Sequence, residues 1–146
     1  MKVSTRVEYG LVALTDIAIN CENGESVSAP DIAERQNISQ KYLEQILLLL
    51  RQAGFVTAQK GLRGGYTLQR SPKEITLSDV LNALDMNILA EMDDKDNGNN
   101  LSSVINDCFW DRINDNLNSY AGSITLSDFA DQCRSRVREN WDMYSI

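Results

Sequence analysis

The chain contains no histidine. That absence removes the commonest general base, most zinc sites and every Ser–His–Asp or Cys–His arrangement. Cysteine is scarce: Cys21, Cys108 and Cys133 lie far apart and form no CxxC pair, which suits a reducing compartment. Long apolar runs are missing too. The longest is Ile46 to Leu50, whereas about 20 residues are needed to cross a bilayer. The N-terminus lacks the basic, apolar and small-residue succession of a secretory signal. A cytoplasmic location without a membrane partner is expected. An enzyme would have to work with carboxylates or lysine, so no catalytic residues are expected and the chain is read as a non-enzyme.

What is present is an ordinary globular composition, 42% hydrophobic and 24% charged over 146 residues, enough for one domain or a small domain with an extension. The net charge of −7 is unevenly spread. Residues 1–75 hold nine Lys and Arg against eight Asp and Glu, and residues 76–146 hold five against thirteen. Within 35–73 seven cations face only Glu44, a net +6 inside an acidic protein. Local fields steer association, so a polyanionic partner fits this segment despite the total.

The periodicity predicts three helices and then a hairpin. Residues 4–20 carry Val7, Leu11, Leu14, Ile17 and Ala18 at helical spacing behind the cap candidates Ser4 and Thr5. A short second helix opens around Ala29-Pro30-Asp31 and ends at Asn37. Ser39 caps a third, which stops at Gly54 and places Leu43, Ile46, Leu47 and Leu50 in the core. FVTAQK (55–60) and YTLQR (66–70) then read as strands joined by GLRGG. Three helices and a β-hairpin make a winged helix-turn-helix head, expected over residues 1–74.

Residues 75–146 read as a helical dimerisation and regulatory region. Thr76 caps a helix over 75–85, and residues 87–100 form an acidic, Asn-rich stretch of weak order. Residues 101–120 repeat apolar positions at i, i+3 and i+4, the mark of a long amphipathic helix whose stripe two copies can bury across a dyad, or which folds back on its own head. The string ITLSD occurs twice, at 75–79 and 124–128, and reads as a reused helix start, with a capping Thr and an acid favoured by the helix dipole. The fold class is therefore mainly α with a small β-hairpin.

The stretch QKGLRGGYTLQ, 59–69, has the glycines and cations of a phosphate cradle. It lies between two strands, without a GK[ST] ending or a following helix N-terminus, so a nucleotide site fails on context and a wing fits. Gly61, Gly64 and Gly65 permit the sharp turn, Lys60 suits a phosphate, and Arg63 suits a minor groove. In a helix-turn-helix the first residues of the recognition helix reach base edges; these are Ser39, Gln40, Lys41 and Tyr42, with Glu44 a turn later. The alternative for Tyr42 is packing, and for Glu44 charge pairing along the helix. Ser28 caps the second helix or donates to a phosphate.

STRVEYGLVAL at the N-terminus, ISQKYLEQIL in the third helix and KGLRGGYTL in the hairpin resemble the Rrf2 family of bacterial transcription regulators, and the resemblance covers nearly the whole chain. It implies a homodimer with crossed long helices that binds a pseudo-palindromic operator, most simply as a repressor of sulfur, cysteine or iron–sulfur metabolism genes. Many relatives bind an iron–sulfur cluster through three cysteines ahead of the long helix, with a histidine as fourth ligand. The corresponding segment here, 86–106, has no cysteine and the chain no histidine, so the usual site is absent and no cofactor is expected. A non-standard redox site remains an alternative, with Glu8 and Cys108 as cluster candidates or a thiol as sensor. The simpler expectation is that Glu8 makes a surface or inter-subunit ion pair and Cys108 is a small buried hydrophobe. Cluster-free members of the CymR type implied by the resemblance work with O-acetylserine sulfhydrylase (cysteine synthase). The ending Asp142-Met143-Tyr144-Ser145-Ile146 resembles theirs, with Tyr144 and Ile146 as partner-binding candidates. A module that binds such an enzyme without DNA is the alternative of another class.

Overall fold

In the computed structural model, residues 3–21, 24–61, 64–85 and 100–144 are described. The head is built from α1 (Thr5–Asn20), α2 (Ala29–Gln36) and α3 (Gln40–Gln52), followed by β1 (Val56–Gln59) and β2 (Gly65–Leu68). Each helix is started by a serine hydroxyl that accepts from a backbone N–H three residues on: Ser4 from Val7 at 3.3 Å, Ser28 from Asp31 at 3.2 Å, Ser39 from Tyr42 at 3.2 Å. Caps of this kind contribute about 1 kcal/mol each. The stops are as legible. Asn37 ends α2 with φ +53°, and Gly54 turns the chain after α3 with φ +83°. Leu43, Ile46, Leu47 and Leu50 are buried against Val7, Leu14 and Ile17 of α1.

The hairpin is antiparallel, with Val56 opposite Leu68 and Gln59 opposite Gly65. A third backbone joins it. Val27 donates to the Tyr66 carbonyl at 2.9 Å and accepts from Tyr66 N–H at 2.7 Å, which ties the wing to the segment before α2. The approach is close enough that a Cβ on Gly65 would stand 2.5 Å from the Val27 carbonyl oxygen. Only glycine fits there.

Beyond the head, α4 (Leu77–Leu84) opens with a capping box: Thr76 Oγ1 accepts from Asp79 N–H and the Asp79 carboxylate accepts from Thr76 N–H, both at 3.1 Å. The second ITLSD behaves alike, with Thr125 accepting from Asp128 N–H at 3.1 Å ahead of α7 (Leu126–Tyr144). The two copies also pair with each other. Leu77 N–H donates to Ile124 O at 3.0 Å and Leu126 N–H to Ile75 O at 2.7 Å, a small antiparallel bridge between Thr76 and Thr125. The repeat thus starts two helices side by side and buries Ile75, Leu77 and Leu126 beneath them.

The long amphipathic helix is present as α5 (Leu101–Ile105), a π-helical turn (Asn106–Trp110) and α6 (Asp111–Ser123), one continuous rod. In the π turn Asp111 N–H reaches back to the carbonyl of Asn106, five residues earlier. The extra residue per turn shifts the helix face at that point. The acidic stretch ahead of the rod lies outside the described residues, apart from Asn100, which caps α5 through Ser103 N–H at 2.8 Å. The helix that folds back on the head is a different one. α7 runs to Tyr144, far beyond the start that its repeat marks, and lies along α1 with Ala130 in the core. The stripe of the rod stays in the open: Leu101, Val104, Ile105, Phe109, Trp110 and Ile113 are all exposed. Cys108 is exposed with them and is not the buried small hydrophobe its place on the stripe suggests, because none of the described residues covers that face.

Candidate nucleic-acid interface

The N-terminal turn of α3 presents polar side chains on a rigid base. Leu43, Ile46 and Leu47 anchor it from below, and Ser39, Gln40, Lys41 and Glu44 are exposed above. Gln40 Nε2 donates to Glu44 Oε1 at 3.4 Å, so these two form one surface unit in the free chain. Tyr42 differs from its neighbours. It is half-buried and meets the Tyr9 ring edge-on, with centroids 5.9 Å apart, so packing holds it to α1.

In the wing, Lys60 is exposed and Gly61 takes φ +119°, a conformation other residues rarely adopt. Gly64 N–H donates to Gly61 O at 2.9 Å and closes the turn. A Cβ on Gly64 would meet the Gln59 carbonyl oxygen at 2.6 Å. Arg63 lies outside the described residues. Ser28 acts as the cap of α2, with its oxygen turned to Asp31 N–H.

The cationic segment is less uniform than its count implies. Arg70 lies 5.9 Å from the Phe55 ring centroid and donates through Nη2 to Glu74 O at 3.3 Å, so it closes the base of the hairpin. Arg35 is engaged internally as well. It forks onto Asp16, Nε to Oδ2 at 3.0 Å and Nη2 to Oδ1 at 2.8 Å, while Gln36 donates to the same carboxylate at 2.7 Å and Asn20 at 3.3 Å. The Asp16 side chain is 0% exposed. Hydrogen bonding to Asp16 holds the Arg35 guanidinium above its ordinary range. This network fixes α2 to α1 and so aims the turn into α3. Sequence reasoning missed Asp16. Its signal was there: one acid inside the stretch Leu11–Ile19, apolar but for Asp16 and its neighbour Thr15. Of the other described cations of the segment, Lys41, Arg51, Lys60 and Lys73 are exposed.

The candidates for sensing are scattered. Glu8 is exposed on α1 beside the groove that Cys133 and Val137 of α7 also line. Among the described residues, no group of three or more Cys, Asp or Glu stands ready to hold a metal. Burial, and then the nearby Asp16 carboxylate, push the Cys21 thiol up, and its Sγ donates to Tyr66 O at 3.4 Å. Burial also pushes Cys133 up. Both stay protonated at neutral pH and are poor nucleophiles. Ile146 and the side chain of Tyr144 lie outside the described residues. None of the described helices is long and apolar enough to cross a membrane.

The family model Rrf2, described as an iron-dependent transcriptional regulator, matches residues 3–132. A Synechocystis protein named as a helix-turn-helix-type transcriptional regulator is 36% identical over 92% of this chain and 91% of its own. Among solved structures, CymR of B. subtilis, titled the global cysteine regulator, superposes with a TM-score of 0.77 at 32% identity, covering 90% of this chain and 98% of that one. IscR of T. potens superposes with a TM-score of 0.73 at 31% identity, covering 91% and 88%.

Proposed function

The chain belongs to the Rrf2 family of transcriptional regulators, and from that membership we infer that it acts as a homodimer whose two winged heads grip one operator. It is a DNA-binding regulator and not an enzyme. The observation that carries the residue assignment is the exposed N-terminal turn of α3 on its buried leucine base. In this reading Gln40, Lys41 and Glu44 face base edges, Ser39 and Ser28 stand near phosphates while capping, and Tyr42 braces the helix from beside it. Lys60, Gly64 and Arg63 form the wing contact. Residues 1–74 then make the DNA-binding part, and residues 75–146 the assembly and regulatory part.

Operator affinity is expected to fall linearly with salt on a double-logarithmic plot, because each neutralised phosphate releases a counterion. Two heads carry two copies of Lys41. Lys41→Ala should therefore flatten the slope by about 2 and weaken binding about 10-fold to 30-fold, at roughly 1 kcal/mol per phosphate contact. Fluorescence anisotropy on a duplex selected from a random library reads both. An unchanged slope in the variant removes Lys41 from the interface.

The exposed aromatic and aliphatic row of α5 to α6 supports the dimer. Single-chain exposure of this many large apolar side chains in one row marks an interaction surface. The target genes are proposed to be those of sulfur or cysteine supply. Support comes from the likeness to a protein titled the global cysteine regulator and from the resemblance of the C-terminal tail to that type. The partner that follows is cysteine synthase, engaged through Tyr144 and Ile146. A chain cut after Asp142 should lose recovery of the synthase in a pull-down while keeping its operator affinity. Equal recovery rejects the partner.

A further inference from the structure

The first turn of α3 is the part of that helix its own hydrogen bonds hold least. The leading N–H groups of a helix have no carbonyl behind them to pair with. Here that of Tyr42 is taken by the Ser39 hydroxyl. Yet Gln40 and Lys41, which this turn presents, need a fixed position to read base edges, because hydrogen bonds to a base are directional. Tertiary contacts must supply what the backbone does not. Leu43 is 0% exposed and fixes the turn from below. One anchor still leaves the turn free to rock about it. A second anchor lies about 100° round the helix from the first, on Tyr42.

Tyr42 leans on Tyr9 of α1, the two rings edge-on with their planes at 74°. Both side chains are half-buried at the margin of the core. Tyr9 has a firm seat. Val7, two residues before it, is buried, and so are Ala13 and Leu14 after it. At the next residue, Gly10, a Cβ would stand 2.5 Å from Leu84 Cδ1 of α4. α1 is thus clamped on either side of Tyr9, and the Tyr9 ring acts as a fixed stop for the ring of Tyr42.

We propose that Tyr9, which lies outside the helix-turn-helix, is a positioning residue for operator recognition: through Tyr42 it sets where the first turn of α3 holds Gln40 and Lys41. The proposal rests on the reading that this turn faces base edges. Its consequence is selective. Phosphate contacts fix affinity without reading sequence, and long flexible cations keep them after a small shift of the helix, whereas base contacts do not survive it.

Fluorescence anisotropy tests this by comparing the duplex selected from a random library with a shuffled duplex of the same length. Tyr9→Leu should weaken binding to the selected duplex about 10-fold, since a lost aromatic pair is a factor of about three per head and two heads multiply. Affinity for the shuffled duplex should stay within about two-fold and the salt slope should not change. A mere loss of folded protein lowers both duplexes together. Tyr9→Phe keeps the ring and should keep the parental ratio. In Tyr42→Leu the partner ring is already gone, so adding Tyr9→Leu should cost less than about two-fold more. Should circular dichroism show Tyr9→Leu unfolded, Tyr9→Met, whose flexible side chain fills irregular space, takes its place. Equal weakening on both duplexes, a Tyr9→Phe variant as weak as Tyr9→Leu, or losses that add in the double variant each overturn the proposal. Gln40→Ala reports on the reading beneath it. Parental selectivity in Gln40→Ala rejects the base-facing turn, whereas a loss there beside parental selectivity in Tyr9→Leu rejects the role of Tyr9 alone.

Discussion

Trp110→Asp is expected to raise the dissociation constant of the dimer about a thousand-fold and to leave a folded 16.4 kDa monomer at micromolar concentration. Trp110 is 45% exposed in the single chain and stacks edge-to-face on Phe109, with centroids 5.0 Å apart. Large aromatics at the centre of an interface contribute about 2 kcal/mol or more each. A two-fold interface holds two copies, so about 4 kcal/mol is lost, close to three decades. The head should survive because Trp110 is no part of its core cluster. Sedimentation velocity reads the assembly and circular dichroism the fold. Operator binding should collapse with the dimer, since each head alone loses the advantage of being tethered to the other. A variant that still sediments as a dimer with parental affinity rejects this face as the interface.

Arg35→Ala is expected to destabilise the head by about 3 kcal/mol, at the low end of the range for breaking a buried ion pair. Two facts set that value. The Asp16 side chain that remains is wholly buried, so its charge cannot be handed to water, whereas the Arg35 side chain is 41% exposed and part of its own interaction is already screened. Gln36 and Asn20 continue to donate to the carboxylate and limit the loss. At this chain length the shift is about 6–12 °C in Tm. Arg35→Lys keeps the charge and loses the fork, so it should recover only part of the difference. Chemical denaturation measures both variants. A change in Arg35→Ala below about 0.5 kcal/mol means that the network does not hold α2 to α1.

Most of the head was legible in the sequence because its signals are local. Ser4, Ser39 and Thr76 cap helices where their side chains suggest, and Asn37 and Gly54 stop them with positive φ. The wing glycines read correctly for the same reason: a turn with φ near +119° or a backbone passing within van der Waals reach of Gly65 leaves no room for another residue. The candidate site was legible as a charge pattern and only partly as exposed residues. Arg35 and Arg70 belong to the cationic segment but are committed to Asp16, Phe55 and Glu74 by contacts between elements distant in sequence. Tyr42 sits among the candidate readers by position, yet its ring is held by Tyr9 of another helix.

The sequence by itself determined the element order of the head, its caps, the buried face of α3 and the likeness to a family of regulators. Each follows from side-chain chemistry over a few residues, where spacing alone states which face is apolar and which N–H finds a cap. Tertiary structure alone decided that the two ITLSD strings pair with each other, that α7 and not the long rod folds back on α1, and that the rod's apolar row and Cys108 stand exposed among the described residues. The physical reason is common to all three. Periodicity marks a surface that must leave water, but which surface covers it depends on contacts the chain makes only after its helices have met.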